Sequence, residues 1–326
     1  MQNENLQSDF KAWWQIVTTS FLLFSTYFVM WLLSDNYGFL YSLALLPLSA
    51  LLTTRAFVLY HDCIHNNLFS YWKVNQIVGN FMSHFTLTPN ISWGGNHLHH
   101  HSHFGKLAAT GRGDIPFATP RQYGKLSKWE KWNARMLRTP FMPFIFGAVY
   151  HYQMREPIWN KRCEFTGTSN HKTDYIISDT RKSFTIQATL LASLALFATP
   201  VLFHFLLSVY LFWVIGFFTF YIQHQHEGTV WASKKEWDHA DSALRGSSYV
   251  KLNPVFEYFF ASINYHHVHH WDSSIPNYSL KKVHEEKFKD DDRIYVIDSA
   301  KKFFECFDNK MWDPKEKVWI KEFPNA

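Results

Sequence analysis

Cysteine is scarce in this 326-residue chain: Cys63, Cys163 and Cys306 are its three, odd in number and far apart. No Cys-x-x-Cys pair occurs, so neither a disulfide framework nor a resident iron–sulfur cluster is encoded, and a reducing compartment fits best. No haem-attachment motif is present. Lysine-rich tracts and nucleic-acid motifs are missing, and the net charge of +5 is spread along the chain, so no nucleic-acid partner is inferred. His-Glu-x-x-His is absent, which removes the zinc-protease arrangement. There is no internal repeat or low-complexity linker, and residues 1–326 read as a single domain.

Charge is missing from four long stretches, and these organise the rest. Residues 16–33 (IVTTSFLLFSTYFVMWLL), 36–54, 184–203 and 205–222 contain no Lys, Arg, Asp or Glu. Uncharged apolar runs of about 18 residues or more read as membrane-spanning helices, against the alternative of a very apolar soluble core. The four arrive as two close pairs, so the expected fold is all-α: a multi-pass helical bundle of two hairpins, capped by a helical domain. Neither hairpin turn carries Lys or Arg, whereas residues 61–183 and 223–326 hold fifteen each of the 32 basic residues. The positive-inside rule therefore assigns segments 55–183 and 223–326, and both termini, to the cytoplasm. The first run lacks a basic leader and a small-residue cleavage site and reads as an anchor. Apolar stretches 74–91 and 140–150 are expected at the membrane interface.

The 19 histidines concentrate just beyond those hairpins. At 100° per residue, positions i, i+3 and i+4 share one helical face. His61 and His65 form one such pair; His97, His100 and His101 form a triplet, and His266, His269 and His270 another. His99 and His103 fall on the far side of their helix, and His267 at the edge of its arc. Adding His224, at the end of the fourth run, gives nine imidazoles on shared faces. Imidazole suits zinc, copper, iron and nickel, and a structural zinc site takes four ligands. Nine suit two ions. Acidic residues near the clusters are few, and the pair of Glu-x-x-His motifs that builds carboxylate-bridged bundle sites is absent. A nitrogen-rich di-iron centre remains.

In this context the chain resembles the membrane fatty-acid desaturase family, from about residue 55 to 285. HDCIH is similar to that family's first histidine box, and NHLHHHSHFGKLAATGRGDI to its second with a following Gly-Asp-Ile element. FYIQHQHEGTVW and GSSYVKL are similar to the segment before the third box, and HHVHHWDSSIPNYSL to the third box with its tail. The resemblance implies a non-haem di-iron enzyme that uses O2 and two electrons to introduce a double bond into an acyl chain. The ligands it implies are His61, His65, His97, His100, His101, His224, His266, His269 and His270. Departures occur at Ile64 and Asn66, at His226, and at Ser262 and Asn264; Asn264 is expected to provide a water-mediated contact to one iron.

Ligand imidazoles need their second ring nitrogen fixed by a carboxylate or carbonyl. Asp62, Asp114, Glu227 and Asp272 are the candidates, each weighed against a helix cap or a solvated charge. Trp93 reads as an interfacial anchor, with an acyl-slot lining as the alternative. With no internal cluster or haem, electrons must come from a separate ferredoxin or small cytochrome, which the basic segments could steer. The expected partners are an acyl lipid or acyl thioester, O2 and membrane lipids; the expected location is a bacterial inner membrane or its equivalent. A hydroxylase or ketolase of an acyl chain, alkane or carotenoid is the alternative with the same iron centre. A metal transporter is disfavoured, because the spans hold almost no ionisable groups. Nine ligands disfavour a zinc hydrolase.

Overall fold

The computed structural model describes residues 6–110, 113–142, 144 and 170–324; Cys163 and most of stretch 140–150 lie outside them. In chain order the principal helices are α1 (Asp9–Tyr37), α2 (Phe39–Ile64), α3 (Trp72–Phe85), α4 (Asn90–His103), α5 (Lys128–Met136), α6 (Asn170–Phe197), α7 (Thr199–His224), α8 (His239–Gly246), α9 (His266–Trp271) and α10 (Asn277–Lys287). The chain divides into two compact units. One comprises Met1–Gly95, Ala148–Gly216 and Tyr258–Ala261; the other comprises Asn96–Gly147, Phe217–Glu257 and Ser262–Ala326.

Within the first unit, Ser8 caps α1 through its hydroxyl, and α1 stops at Gly38, whose φ of +99° suits glycine. The chain reverses there into α2. A 3-10 turn at Leu43–Leu45 precedes Pro47, which has no N–H to continue an α-helical ladder. The core joins Leu23, Tyr27 and Met30 of α1 to Leu52 of α2 and Phe205, Val209 and Phe212 of α7. Several polar side chains among these helices find partners. Ser49 meets Ser208 at 2.6 Å, Ser42 meets His204 at 2.6 Å, and Thr26 and Thr53 bond back to the carbonyls of Leu22 and Ser49. That is what apolar surroundings demand, since an unsatisfied polar group there costs several kcal/mol. Arg55 is buried near the end of α2. It donates to Thr19 Oγ1 (3.0 Å), to Gln15 Oε1 (3.2 Å) and to the Tyr258 carbonyl, with its guanidinium over the Tyr258 ring.

Among the described residues three helices are long and apolar enough to cross a membrane: α1, α2 and α7. The sequence suggests four. The difference lies at 184–203, where the helix breaks at Ala198, ahead of Pro200. Proline lacks the N–H that would bond back to Leu196, so the apolar run is shared between the end of α6 and the start of α7. Phe21 and Phe28 of α1 face outward, 68% and 57% exposed, as a lipid-facing surface requires.

The second unit is helical with two small sheets, so the fold is mostly rather than wholly α. Tyr249–Val250 (β1) pairs in parallel with Val296–Ile297 (β2), and Met311–Asp313 (β3) pairs antiparallel with Val318–Ile320 (β4). Arg138 is the buried hub of this unit. It donates to Gln225 Oε1 (2.6 Å), Tyr221 Oη (3.3 Å) and the carbonyls of Pro116 (2.9 Å) and Asn309 (3.3 Å). One guanidinium thus ties the segments near 116, 138, 221 and 309 into a single frame.

Candidate metal centre

In the first unit His61 and His65 lie one turn apart at the end of α2, with ring centroids 4.9 Å apart. His61 Nδ1 is 3.2 Å from Asp62 Oδ1, and Asp62 is fully buried. Ile64 fills the space in front of Gly94, where an added Cβ would come within 3.0 Å of the isoleucine side chain. Trp93 packs against Phe57, Tyr60 and the His61 ring, at 5.0, 5.4 and 6.2 Å, so it sits in an aromatic cluster beside the histidine pair.

In the second unit the other seven imidazoles form two groups. His101 Nε2 lies 3.1 Å from His97 Nε2 and 3.0 Å from His269 Nε2. His100 Nε2 lies 3.2 Å from both His224 Nε2 and His270 Nε2, and His266 Nε2 lies 2.9 Å from His224 Nε2. Helix α4 feeds both groups. Its i, i+4 residues His97 and His101 enter one, while His100, one position from His101, enters the other. Helix α9 is split in the same way: His269 joins the first group, and His266 and His270 the second. The consecutive His-His dipeptides at the end of each triplet are therefore what divides one histidine face between two centres.

The donor set fits two metal ions. Two nitrogens bound in adjacent positions about 2.1 Å from one ion lie about 3.0 Å apart, which is the spacing found. The rings are also held as ligands should be. His100 Nδ1 donates to Asp114 Oδ1 at 2.5 Å, both groups buried, so Nε2 is left to face His224 and His270. His224 Nδ1 lies 3.3 Å from the Gly246 carbonyl, which turns its Nε2 the same way. Burial, followed by the neighbouring imidazoles His266, His224, His100 and His269, pushes His270 well below the ordinary histidine range. A neutral imidazole is the form that binds metal.

The Gly-Asp-Ile element explains how Asp114 arrives. Gly113 has φ +73°, and a Cβ there would come within 2.7 Å of the Asn96 carbonyl oxygen and 2.9 Å of His100 Cβ. Only glycine lets the strand of chain pass that close to α4 and deliver the next residue to His100.

The remaining candidates go elsewhere. Glu227 is exposed and pairs with Lys321 at 3.5 Å. Asp272 accepts from the Ser274 amide (3.0 Å) and hydroxyl (2.6 Å), closing a local turn after α9. Asn264 is buried and donates to the Val250 carbonyl at 3.1 Å; its Oδ1 has no hydrogen-bond partner among the described residues. His99 and His103 stack on each other at 4.2 Å, on the other side of α4 from both groups. His226 stacks on Tyr295 at 4.7 Å, and burial pushes it down to about 3. His267 turns away from its neighbours and meets His284 Nδ1 at 3.0 Å. His284 and the Gly246 carbonyl have no sequence signal: each supports a histidine at least 17 residues away.

The family described as "Fatty acid desaturase" matches residues 38–297. The chain is 29% identical over 311 residues to a protein named "Fatty acid desaturase" from Bacillus subtilis, covering 94% of this chain and 84% of that one. It is 24% identical over 242 residues to an "sn-1 oleoyl-lipid 12-desaturase" of Synechocystis, covering 71% and 64%. It is 25% identical over 234 residues to an "Omega-3 fatty acid desaturase, endoplasmic reticulum" of Nicotiana tabacum, covering 70% and 59%. The chain thus spans most of its bacterial relative and less than two thirds of the other two.

Proposed function

The chain belongs to the fatty acid desaturase family, and from that premise we propose that it is a membrane oxidoreductase that introduces a double bond into a fatty acyl chain. The observation that carries this reading is the pair of imidazole groups on α4, α7 and α9, with ring nitrogens 2.9–3.2 Å apart and, among the described residues, no carboxylate in either group. The proposed ligands are His61, His65, His97, His100, His101, His224, His266, His269 and His270. Two bound iron ions supply the strong oxidant that unactivated C–H bonds require, with O2 and two external electrons as co-substrates.

The residues of the chain do the rest. Imidazoles bind metal in their neutral form and so add no negative charge to the ions. Asp114 and the Gly246 carbonyl hold His100 and His224 in the tautomer that leaves Nε2 free for metal. Asp62 does the same for His61. Asn264 Oδ1, buried and without a hydrogen-bond partner among the described residues, offers an oxygen for a water or an ion. Trp93, Phe57 and Tyr60 form the apolar wall beside His61 and line the acyl path. The basic segments 55–183 and 223–326 face the cytoplasm, and a separate ferredoxin or small cytochrome delivers electrons there.

The test is gas chromatography–mass spectrometry of total acyl chains from a host making the wild type, beside one making His100→Ala. A new double bond in the wild type alone is the expected result. A new hydroxyl group in its place would move the reading to hydroxylation. Equal products from both proteins would remove the ligand set.

A further inference from the structure

Beside the second imidazole group the second unit holds a run of touching aromatic rings. Phe104 packs on His224, His100 and His270, with centroids at 4.5, 5.1 and 5.2 Å. Trp231 lies 5.2 Å beyond Phe104, Phe117 lies 4.7 Å from Trp231, and Trp319 lies 5.3 Å from Phe117. Trp312 follows at 5.4 Å. The run begins on candidate ligands and ends on the β3–β4 hairpin, where Trp319 is 6% exposed.

Packing alone accounts for aromatic residues in a core. It does not account for the polar ends of these. A buried indole N–H ordinarily finds an acceptor. Trp231, Trp312 and Trp319 are all buried, and none of the three Nε1 groups has a hydrogen-bond partner among the described residues. Leaving three such donors unsatisfied costs roughly 1–3 kcal/mol each. The same feature has a chemical effect. An indole that loses an electron becomes strongly acidic at Nε1, and with an acceptor in place the proton departs and the radical is trapped. With no acceptor the proton stays, and the electron can be returned unchanged.

We propose that Trp231, Trp319 and Trp312 form a one-electron relay that discharges the iron centre when it is oxidised without substrate. This rests on the desaturase reading given above. Trp231 gives one electron across Phe104 to the oxidised centre and becomes a radical cation that keeps its N–H proton. Trp319 then gives one electron across Phe117 to Trp231, restoring it and leaving the cation at the hairpin. An external one-electron reductant, the class of donor the reaction already uses, returns that electron. Two passages, with two protons from water, remove two oxidising equivalents from an oxygen atom and release it as water. The relay does not carry electrons inward for ordinary turnover, because indoles yield an electron only to a very strong oxidant. It protects the imidazoles, the nearest oxidisable groups to such an oxidant.

The experiment uses the full-length, iron-loaded protein in lipid nanodiscs, reduced and mixed with O2 without acyl substrate, then freeze-quenched for electron paramagnetic resonance. The wild type is expected to show a transient organic radical whose line shape changes when the tryptophans are ring-deuterated. Trp231→Phe, which keeps an aromatic ring at the position, is expected to lose that signal. It should also accumulate oxidised histidine in the peptides carrying His100 and His224, read by mass spectrometry. Fluorotryptophan incorporation, which makes the indole harder to oxidise with little change of shape, is expected to lower the radical yield in a protein that still binds iron and makes product. An undiminished radical in Trp231→Phe, or no organic radical in a wild type that makes desaturated product when substrate is supplied, would overturn the relay and leave the desaturase reading standing. A wild type that binds no iron would remove both.

Discussion

Asp114 is where a small change should separate a metal ligand's support from ordinary packing. Its Oδ1 accepts from His100 Nδ1 at 2.5 Å, and both residues are buried, at 5% and 1% exposure. A charge-assisted hydrogen bond of this kind is about twice as strong as a neutral one. Removing the partner of a metal-binding histidine costs about 10–100-fold in metal affinity or activity. Asp114→Asn keeps an acceptor oxygen in place and loses the charge, so it should fall near the tenfold end, about 1.4 kcal/mol. Asp114→Ala leaves Nδ1–H without a partner in a dry site and frees the ring to rotate, so it should fall near the hundredfold end, about 2.7 kcal/mol. The assay is iron per protein after dialysis against a graded series of a ferrous chelator, alongside product per cell. Glu227→Gln and Asp272→Asn serve as controls: one carboxylate faces Lys321 at the surface and the other closes a turn on Ser274, so both variants should match the wild type within about twofold. Wild-type iron retention in Asp114→Ala would refute the assignment of this contact as ligand support. Loss in the Glu227 variant equal to that in Asp114→Ala would show that proximity in sequence, not contact, governs the effect.

The helical faces predict that His100→Ala abolishes activity while the protein still inserts into membranes, whereas His99→Ala retains substantial activity because its ring stacks on His103 on the other side of α4; product analysis of both decides it. Gly113→Ala should lower iron retention at least as far as Asp114→Asn, since its Cβ collides with the Asn96 carbonyl and displaces the next residue, and metal titration of the purified variant measures this. His284→Ala leaves the buried Nε2 of His267 without its partner, a loss of about 1–3 kcal/mol, to be seen as a lowered thermal midpoint in iron-loaded protein. Chelation should abolish turnover, and ferrous iron but not zinc should restore it, because zinc has no redox chemistry; recovery with zinc would exclude the proposed reaction.

The parts of this molecule that could be read from the sequence are those set by helical spacing. His97 and His101 share a face because they are one turn apart, and no distant contact is needed to know it. The division of each triplet between two groups was not legible, because it depends on α4, α7 and α9 meeting, which is tertiary. The four acidic candidates show the same limit. Asp62, Asp114, Glu227 and Asp272 look equivalent beside their boxes, yet among the described residues only the first two meet an imidazole. What distinguishes Asp114 is a glycine at positive φ that lets the chain pass against α4, and what removes Asp272 is a serine two residues on. Pro200 was visible inside the run 184–203, and its missing N–H is the reason that run does not form one helix. The strands β1 to β4 are two or three residues long, too short for an alternating pattern to register.

The placement of Asp62 and Asp114 also answers why so few acids accompany so many histidines. Ions held by the proposed imidazoles alone would keep their full charge in a buried site, and a buried charge without a counter-charge is costly. In a carboxylate-bridged centre the acids bind the metal themselves and cancel it directly. Here the buried carboxylates stand one residue further out, each hydrogen-bonded to the far nitrogen of a candidate ligand ring. With an ion bound they would return part of the negative charge through the ring and make it a stronger donor. The partners of one group are unequal, since His100 has a carboxylate and His224 a carbonyl, so two histidine rings of one group are held by different acceptors. An oxidant built this way keeps a higher charge than a carboxylate-ligated one. That is the property required to take hydrogen from an unactivated carbon, and it is also the property that calls for a route to discharge it safely when no substrate is bound.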